Sequence, residues 1–288
     1  MLVLAMGLTA GTRAQDHKQT GAKAGQNRSG NPRNREQTIN ELGAVSKSEL
    51  ALPFVPQWRY LTDSPIVYAV MIDASKVYLP LARGRITCLD RASGALLWGT
   101  DLGGRMTYRP ALSGKGIYVS SVKVASDGSE SGGLLRVLDT TTGLTLWQHE
   151  YTRPFTSPIV LAGDKIYAGS ADGALYALKL DDGSVIWKCQ TADVVQGEPL
   201  VTAKAILFGS DDGALRGADP QTGREMWKFQ TAGKIVDCPA IFDGHVFLGS
   251  GDGYVYCLTL DGIKLKWRFR AGAAVVAAPV IAQGKVLI

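Results

Sequence analysis

The sequence predicts an all-β protein, a β-propeller whose four-stranded antiparallel blades recur about every 40 residues. Two observations predict this class. Six tryptophans, from Trp58 to Trp267, recur at a nearly constant interval. Between them, short runs rich in Val, Ile, Tyr and Phe alternate with Gly/Asp clusters that are typical of hairpin turns.

The tryptophans set the register within each unit. Their spacings are 40, 49, 40, 40 and 40 residues, and a polar insertion at 121–133 accounts for the long one. A glycine lies fourteen residues before most of them, where we expect the turn between the second and third strands. The predicted blade-docking residues are Trp58, Trp98, Trp147, Trp187, Trp227, Trp267, Gly84, Gly173, Gly213 and Gly253.

The Asp-Gly pairs at 172–173 and 182–183 raise two alternatives, a calcium loop or two hairpin turns. A calcium loop needs ligands at alternating positions and a closing bidentate acid, which this stretch lacks. The carboxylate at 172 is replaced by Arg83 or Gly132 in other units. Because a turn tolerates this variation and a metal site does not, the pattern favours hairpins.

The third strand of each unit carries small or apolar side chains at alternate positions, which share one face. We expect that face to pack against the neighbouring blade. Cys88 and Cys257 occupy such positions, so both are predicted to be free, buried thiols.

Three units share a signature: CLDRASGALLW (88–98), VLDTTTGLTLW (137–147) and GADPQTGREMW (217–227). Weaker versions are ALKLDDGSVIW and CLTLDGIKLKW. This pattern resembles the tryptophan-docking repeat of the pyrroloquinoline-quinone-type (PQQ-type, quinoprotein-like) β-propellers, and the resemblance covers residues 55–288. It is specific for the fold and less so for function, because one fold serves many functions.

The resemblance implies three alternative functions. In its compact repeats the sequence resembles the non-enzymatic outer-membrane assembly propeller more than the dehydrogenases. This resemblance implies a docking scaffold for protein partners, with no catalytic residue, no metal and no cofactor. The second alternative is a quinone-dependent dehydrogenase holding PQQ and calcium on the propeller axis, but the vicinal Cys-Cys of those enzymes is absent. The third is an extracytoplasmic ligand-sensing domain.

Charge and motif content disfavour some classes of binding partner. The formal net charge is only +5 and no run of five Lys or Arg occurs, which disfavours nucleic acid. No apolar stretch is long enough to span a membrane as a helix. Neither a catalytic triad nor a phosphate loop is present, and the sequence identifies no small-molecule ligand.

Ligands of propellers usually meet the loops at one mouth of the central channel. We therefore predict that the polar residues just before the first strand of each blade converge there and contact a ligand or partner. These channel-mouth candidates are Arg109, Ser157, Gln196, Glu198 and Asp237.

The chain is expected to divide into a signal peptide at 1–14, a flexible polar leader at 15–50 and a propeller at 51–288. The signal peptide predicts export to the periplasm or cell envelope. The ring is expected to be incomplete, with five full blades and parts of a sixth, truncated at the C-terminal end. The segment around Trp58 is predicted to be a last strand that completes the final blade.

Overall fold

The computed structural model describes residues 56–114, 116–282 and 284–288. Those ranges contain 22 strands and no helix, so the all-β prediction is confirmed for the described part of the chain. The predicted signal peptide at 1–14 and leader at 15–50 lie outside the described residues.

The strands form five four-stranded antiparallel sheets, blades 1 to 5, and one two-stranded sheet that begins a sixth. Blade 1 consists of β1 (Met71–Ile72), β2 (Lys76–Leu81), β3 (Arg85–Asp90) and β4 (Leu96–Asp101). Blade 2 consists of β5 (Ala111–Ser113), β6 (Gly116–Val124), β7 (Glu130–Asp139) and β8 (Thr145–Tyr151). Blade 3 consists of β9 (Val160–Ala162), β10 (Lys165–Gly169), β11 (Ala174–Lys179) and β12 (Val185–Gln190). Blade 4 consists of β13 (Leu200–Val201), β14 (Ile206–Gly209), β15 (Ala214–Ala218) and β16 (Glu225–Gln230). Blade 5 consists of β17 (Ala240–Phe242), β18 (His245–Gly249), β19 (Tyr254–Thr259) and β20 (Leu265–Arg270), and the last sheet of β21 (Val280–Ala282) and β22 (Lys285–Leu287).

The Asp-Gly pairs form hairpins, as predicted. Gly173 lies between β10 and β11 with φ +80°, a left-handed conformation that glycine adopts without steric penalty. The Asp172 carboxylate accepts hydrogen bonds from the Ala174 amide (3.1 Å) and the Tyr176 hydroxyl (2.5 Å), which closes the turn. These carboxylate oxygens are therefore used within the hairpin.

The hydrophobic cores lie between consecutive blades. Leu175 and Ala177 on the third strand of blade 3 pack with Ile206 and Phe208 of blade 4, and the same arrangement joins the other neighbouring pairs of blades. This confirms the expectation that third-strand side chains face the next blade. Cys88 and Cys257 are buried and free, also as predicted.

Tryptophans on the fourth strands of blades 1 and 3 are hydrogen-bonded to the following blade. Trp98 donates its indole N–H to the Thr140 carbonyl (3.3 Å), and Trp187 donates to the Pro220 carbonyl (3.2 Å). Each accepting carbonyl directly follows an aspartate of the signature, whose side chain accepts the amides of the same turn. The signature is thus a receptor turn for the tryptophan of the preceding blade.

Trp58 docks in the same way on blade 1, since its indole donates to the Arg91 carbonyl at 2.8 Å. The strand predicted around it is not formed, however, and residues 56–62 have no regular structure. No described strand lies beside this segment, so its backbone lacks the ladder that a strand requires. The Trp58 side chain therefore makes the contact typical of the repeat, although the backbone around it does not form the strand.

Candidate docking face at the channel mouth

An ion pair joins two of the loops that lead into the first strands. Arg109, before blade 2, contacts the carboxylate of Glu198, before blade 4, although 89 residues separate them. Their side chains remain 49% and 33% exposed, respectively. The pair therefore joins the loops that precede two non-adjacent blades.

Asp237 closes the same region on the side of blade 5. Its carboxylate accepts the amide of Cys238 at 2.7 Å and the amide of Ala278 at 2.8 Å. Ala278 belongs to the loop that precedes β21, so Asp237 ties the entrance of blade 5 to the start of the last sheet. Both carboxylate oxygens are used in these bonds.

Two tyrosines at the mouth were missed by sequence reasoning. The rings of Tyr68 and Tyr108 stack with centroids 6.1 Å apart and planes inclined by 17°. Burial raises the pKa of Tyr108, and the nearby charges of Asp237 and Glu198 raise it further. Tyr108 immediately precedes Arg109 in the sequence, so the loop motif TYRP was a usable signal. We call Tyr68, Tyr108, Arg109, Glu198 and Asp237 the mouth cluster.

The other two candidates are placed differently. Gln196 donates its side-chain amide to Asp211 at 2.7 Å, and Asp211 also contacts the ammonium of Lys234, which links blade 4 to the loop before blade 5. Ser157 is fully buried, donates to the Pro158 carbonyl (2.9 Å) and accepts the Gly169 amide (2.7 Å). Ser157 therefore holds the backbone of blade 3 and does not join the mouth cluster.

Cys238 lies beside the mouth cluster but is not built as a nucleophile. Burial raises the pKa of its thiol to about 12, and the negative charges of Glu198 and Asp237 add to the effect. A reactive cysteine needs a lowered pKa in an electropositive environment, so the surroundings of Cys238 are the opposite of those required.

The profile of the family described as "Outer membrane protein assembly factor BamB" matches three overlapping segments of the chain, residues 19–192, 131–238 and 211–288. Together they cover most of its length. The chain belongs to the BamB family. Within the family's PQQ-type repeat, the receptor turns of blades 1, 2 and 4 carry the full signature.

Individual relatives fall into two groups. BamB of Xanthomonas campestris pv. campestris is 27% identical over 150 residues, which are 51% of this chain and 34% of that protein. A quinoprotein ethanol dehydrogenase of Pseudomonas putida is 30% identical over 69 residues, 24% of this chain and 11% of that protein. The matches thus span about a third of the first relative and about a tenth of the second.

Solved structures show the same two groups. BamB from Moraxella catarrhalis superposes with a TM-score of 0.62 at 17% identity, covering 76% of this chain and 69% of that one. The quinohemoprotein alcohol dehydrogenase ADHIIG from Pseudomonas putida superposes with a TM-score of 0.57 at 12% identity, covering 74% and 43%. At these identities the likeness establishes the propeller fold alone.

The residues at the mouth do not fit the calcium and quinone that the dehydrogenase group implies. Calcium takes six to eight oxygen ligands, chiefly from carboxylates. Here Glu198 is paired with Arg109, and both oxygens of Asp237 accept backbone amides. Over the described ranges, no group of three His, Cys, Asp or Glu side chains is placed to hold a metal ion.

The described ranges also contain no helix long and apolar enough to cross a membrane.

Proposed function

We propose that this BamB-family chain is an exported, non-enzymatic scaffold that docks protein partners of outer membrane protein assembly through the mouth cluster. The observation that carries the proposal is the composition of this cluster. Tyr68, Tyr108 and Arg109 remain partly or largely exposed on loops that meet at one place. Tyrosine and arginine are the residue types enriched at the energetic centres of protein interfaces.

The charges of the cluster support docking in preference to catalysis. Glu198 and Asp237 already have partners within the chain, the guanidinium of Arg109 and two backbone amides respectively, which hold both carboxylates in place. The aromatic faces of Tyr68 and Tyr108 offer apolar contact area with few rotatable bonds. A partner that presents an acidic group beside an apolar side chain fits this surface, because it competes with Glu198 for Arg109.

Site-specific photocrosslinking in a Gram-negative host that produces the full chain tests the proposal. A photoreactive amino acid replaces Tyr108, and a matched control replaces Leu144, which is 69% exposed in the turn between β7 and β8. We expect defined envelope-protein adducts from position 108 only, lost when Arg109→Glu is added. Equal adduct patterns from the two positions would remove the mouth cluster as the docking face.

Titration with PQQ and Ca²⁺ separates the scaffold from the dehydrogenase alternative. We expect no stoichiometric absorbance change on mixing the chain with both. A tight, calcium-dependent change at one quinone per chain would overturn the non-enzymatic assignment, whatever the crosslinking shows.

A further inference from the structure

Four tryptophans dock on a glycine of the next blade, and this contact sets their position. Glycines 94, 143, 183 and 223 lie under the indoles of Trp58, Trp98, Trp147 and Trp187, respectively. All four glycines have a left-handed backbone, with φ between +70° and +74°. A Cβ added at any of them would come within 2.8 Å of the indole. The docked position therefore excludes a side chain on the receptor turn.

Trp227 breaks this rule because its receptor turn in blade 5 has a different residue at the glycine position. By register that position is Ile263, which has φ +49°. A Cβ added at the neighbouring Gly262 would have no atom of Trp227 within 4 Å. A branched side chain now stands where an indole would dock. The turn also has Thr259 in place of the signature aspartate.

The indole of Trp227 instead lies over Gly217 of its own blade. A Cβ built on Gly217 would approach the indole to 2.2 Å, so only glycine permits this packing. In every other blade the residue paired with the tryptophan carries a side chain: Cys88, Val137, Ala177 and Cys257. Gly217 thus leaves room for the indole of Trp227 on its own blade, whereas Ile263 occupies the position on blade 5 where the indole would otherwise dock.

A cavity of about 480 Å³ occupies the place between blades 4 and 5 beside the displaced indole. Its lining includes Leu207, Trp227, Ile241 and Leu260, and Leu260 is the counterpart of the residues whose carbonyls receive a docked tryptophan elsewhere. Small-molecule sites have volumes of roughly 300–1,000 Å³ and are mostly apolar with a few polar groups. The cavity has that size and character.

The charged group at this cavity is Lys204, an exposed residue in the turn between β13 and β14. No acidic partner of Lys204 is found in the described part of the chain. Thr202, also in the lining, is already used, because its hydroxyl donates to the Ala205 carbonyl at 2.7 Å. An apolar wall with one free ammonium at its edge complements an apolar body that carries one anionic group.

We propose that the cavity beside Trp227 is a binding site for a small aromatic carboxylate. The ring lies between Trp227, Leu207 and Ile241, in the space that a docked indole would fill, and the carboxylate accepts hydrogen bonds from the ammonium of Lys204. This site lies at the junction of blades 4 and 5 and is independent of the docking proposed for the mouth cluster.

Calorimetric titration of the full chain with 2-naphthoate tests the site, with 2-naphthylmethanol as the neutral analogue. We expect the naphthoate to bind with a Kd of roughly 0.1 mM, an affinity ordinary for about 13 non-hydrogen atoms. Lys204→Ala should weaken binding about 5- to 10-fold, as the loss of one exposed charge-assisted contact does. Lys188→Ala, an exposed lysine on β12 without an ion-pair partner in the described residues, is the matched control and should leave the Kd unchanged.

The double variant Gly217→Ala/Ile263→Gly closes the cavity by returning Trp227 to a docked position. We expect it to lose binding by more than about 20-fold while unfolding cooperatively in urea. Absence of any heat from the parent chain at millimolar naphthoate would overturn the site. Unchanged affinity in the double variant would overturn its location, and equal affinity for the neutral analogue would overturn the carboxylate specificity; Lys204→Ala is a surface change and remains informative if the double variant is unstable.

Discussion

Replacing the receptor glycine of blade 4 measures what tryptophan docking contributes to stability. Gly223 has φ +70°, and a Cβ there would approach atom Cε3 of Trp187 to 2.4 Å. Gly223→Ala therefore forces the indole off the turn. The matched control is Gly163→Ala, because Gly163 has φ +61° and nothing within 4 Å of its added Cβ.

The expected magnitudes follow from these two environments. Both variants place an alanine in the left-handed region, which costs about 1 kcal/mol. Only Gly223→Ala adds overpacking of about 1–3 kcal/mol and the loss of the bond from Trp187 to the Pro220 carbonyl, about 1 kcal/mol more. We expect free energies of unfolding lowered by about 1 kcal/mol for Gly163→Ala and about 3–5 kcal/mol for Gly223→Ala.

Urea unfolding followed by tryptophan fluorescence and by circular dichroism gives both values. Coincident transitions with an unchanged m-value are required for the comparison. A red-shifted emission is expected for folded Gly223→Ala alone, since its indole becomes more exposed. Equal losses of stability in the two variants would refute the view that the indole contact, and not the turn conformation, makes this glycine necessary.

Three further outcomes follow from described contacts. Asp212→Asn should lower the free energy of unfolding by about 2–3 kcal/mol, because buried Arg216 then keeps only Glu225 as an anionic partner. Exposed Asp164→Asn, the control, should leave the free energy of unfolding essentially unchanged, and urea unfolding measures both. Burial acts to raise the pKa of Asp212, but hydrogen bonds from Arg216 and two backbone amides outweigh it and hold the pKa below its ordinary 3.8. The stabilisation that the ionised carboxylate gives the fold is therefore complete above pH 3.8, and it is lost as the pH falls through the lower pKa of the folded state. The difference in melting temperature between the parent chain and Asp212→Asn isolates the contribution of this carboxylate. A difference that stays constant from pH 7 to about pH 3 would contradict the prediction. Iodoacetamide at about pH 8 should alkylate Cys238 slowly until urea is added, because burial raises its pKa to about 12; rapid reaction of the native chain, located by peptide mapping, would contradict the placement.

The blades could be predicted from sequence because local chemistry and global packing require the same residues. The turn at Gly223 needs a left-handed residue, the indole above it needs the absence of a Cβ, and both demands select glycine. Because both requirements select glycine at a constant interval from the tryptophan, the repeat can be recognised in the sequence. The weaker signatures were visible too, yet their consequence for Trp227 depends on Gly217, a residue from another strand, and such pairings are not readable along the chain.

The candidate site was less predictable for a related reason. Arg109 and Glu198 come together through the angular positions of blades 2 and 4, and this can be inferred once the propeller is recognised. The direction in which each side chain points cannot be inferred in this way. Ser157 occupies the equivalent loop but turns inward to bind backbone groups, whereas Tyr108, one residue from a candidate, faces the cluster.

The exchange between Gly217 and Ile263 restricts how the repeats can recombine. The receptor turns of blades 1, 2 and 4 share the signature and the glycine on which an indole docks, so each turn accepts the tryptophan that precedes it. The turn of blade 5 differs, because Ile263 stands at the glycine position. Placed after any blade whose third strand carries a side chain at the Gly217 position, its Ile263 would meet an indole that has nowhere else to lie. The fifth repeat therefore requires, directly before it in the chain, a blade with glycine at the position of Gly217.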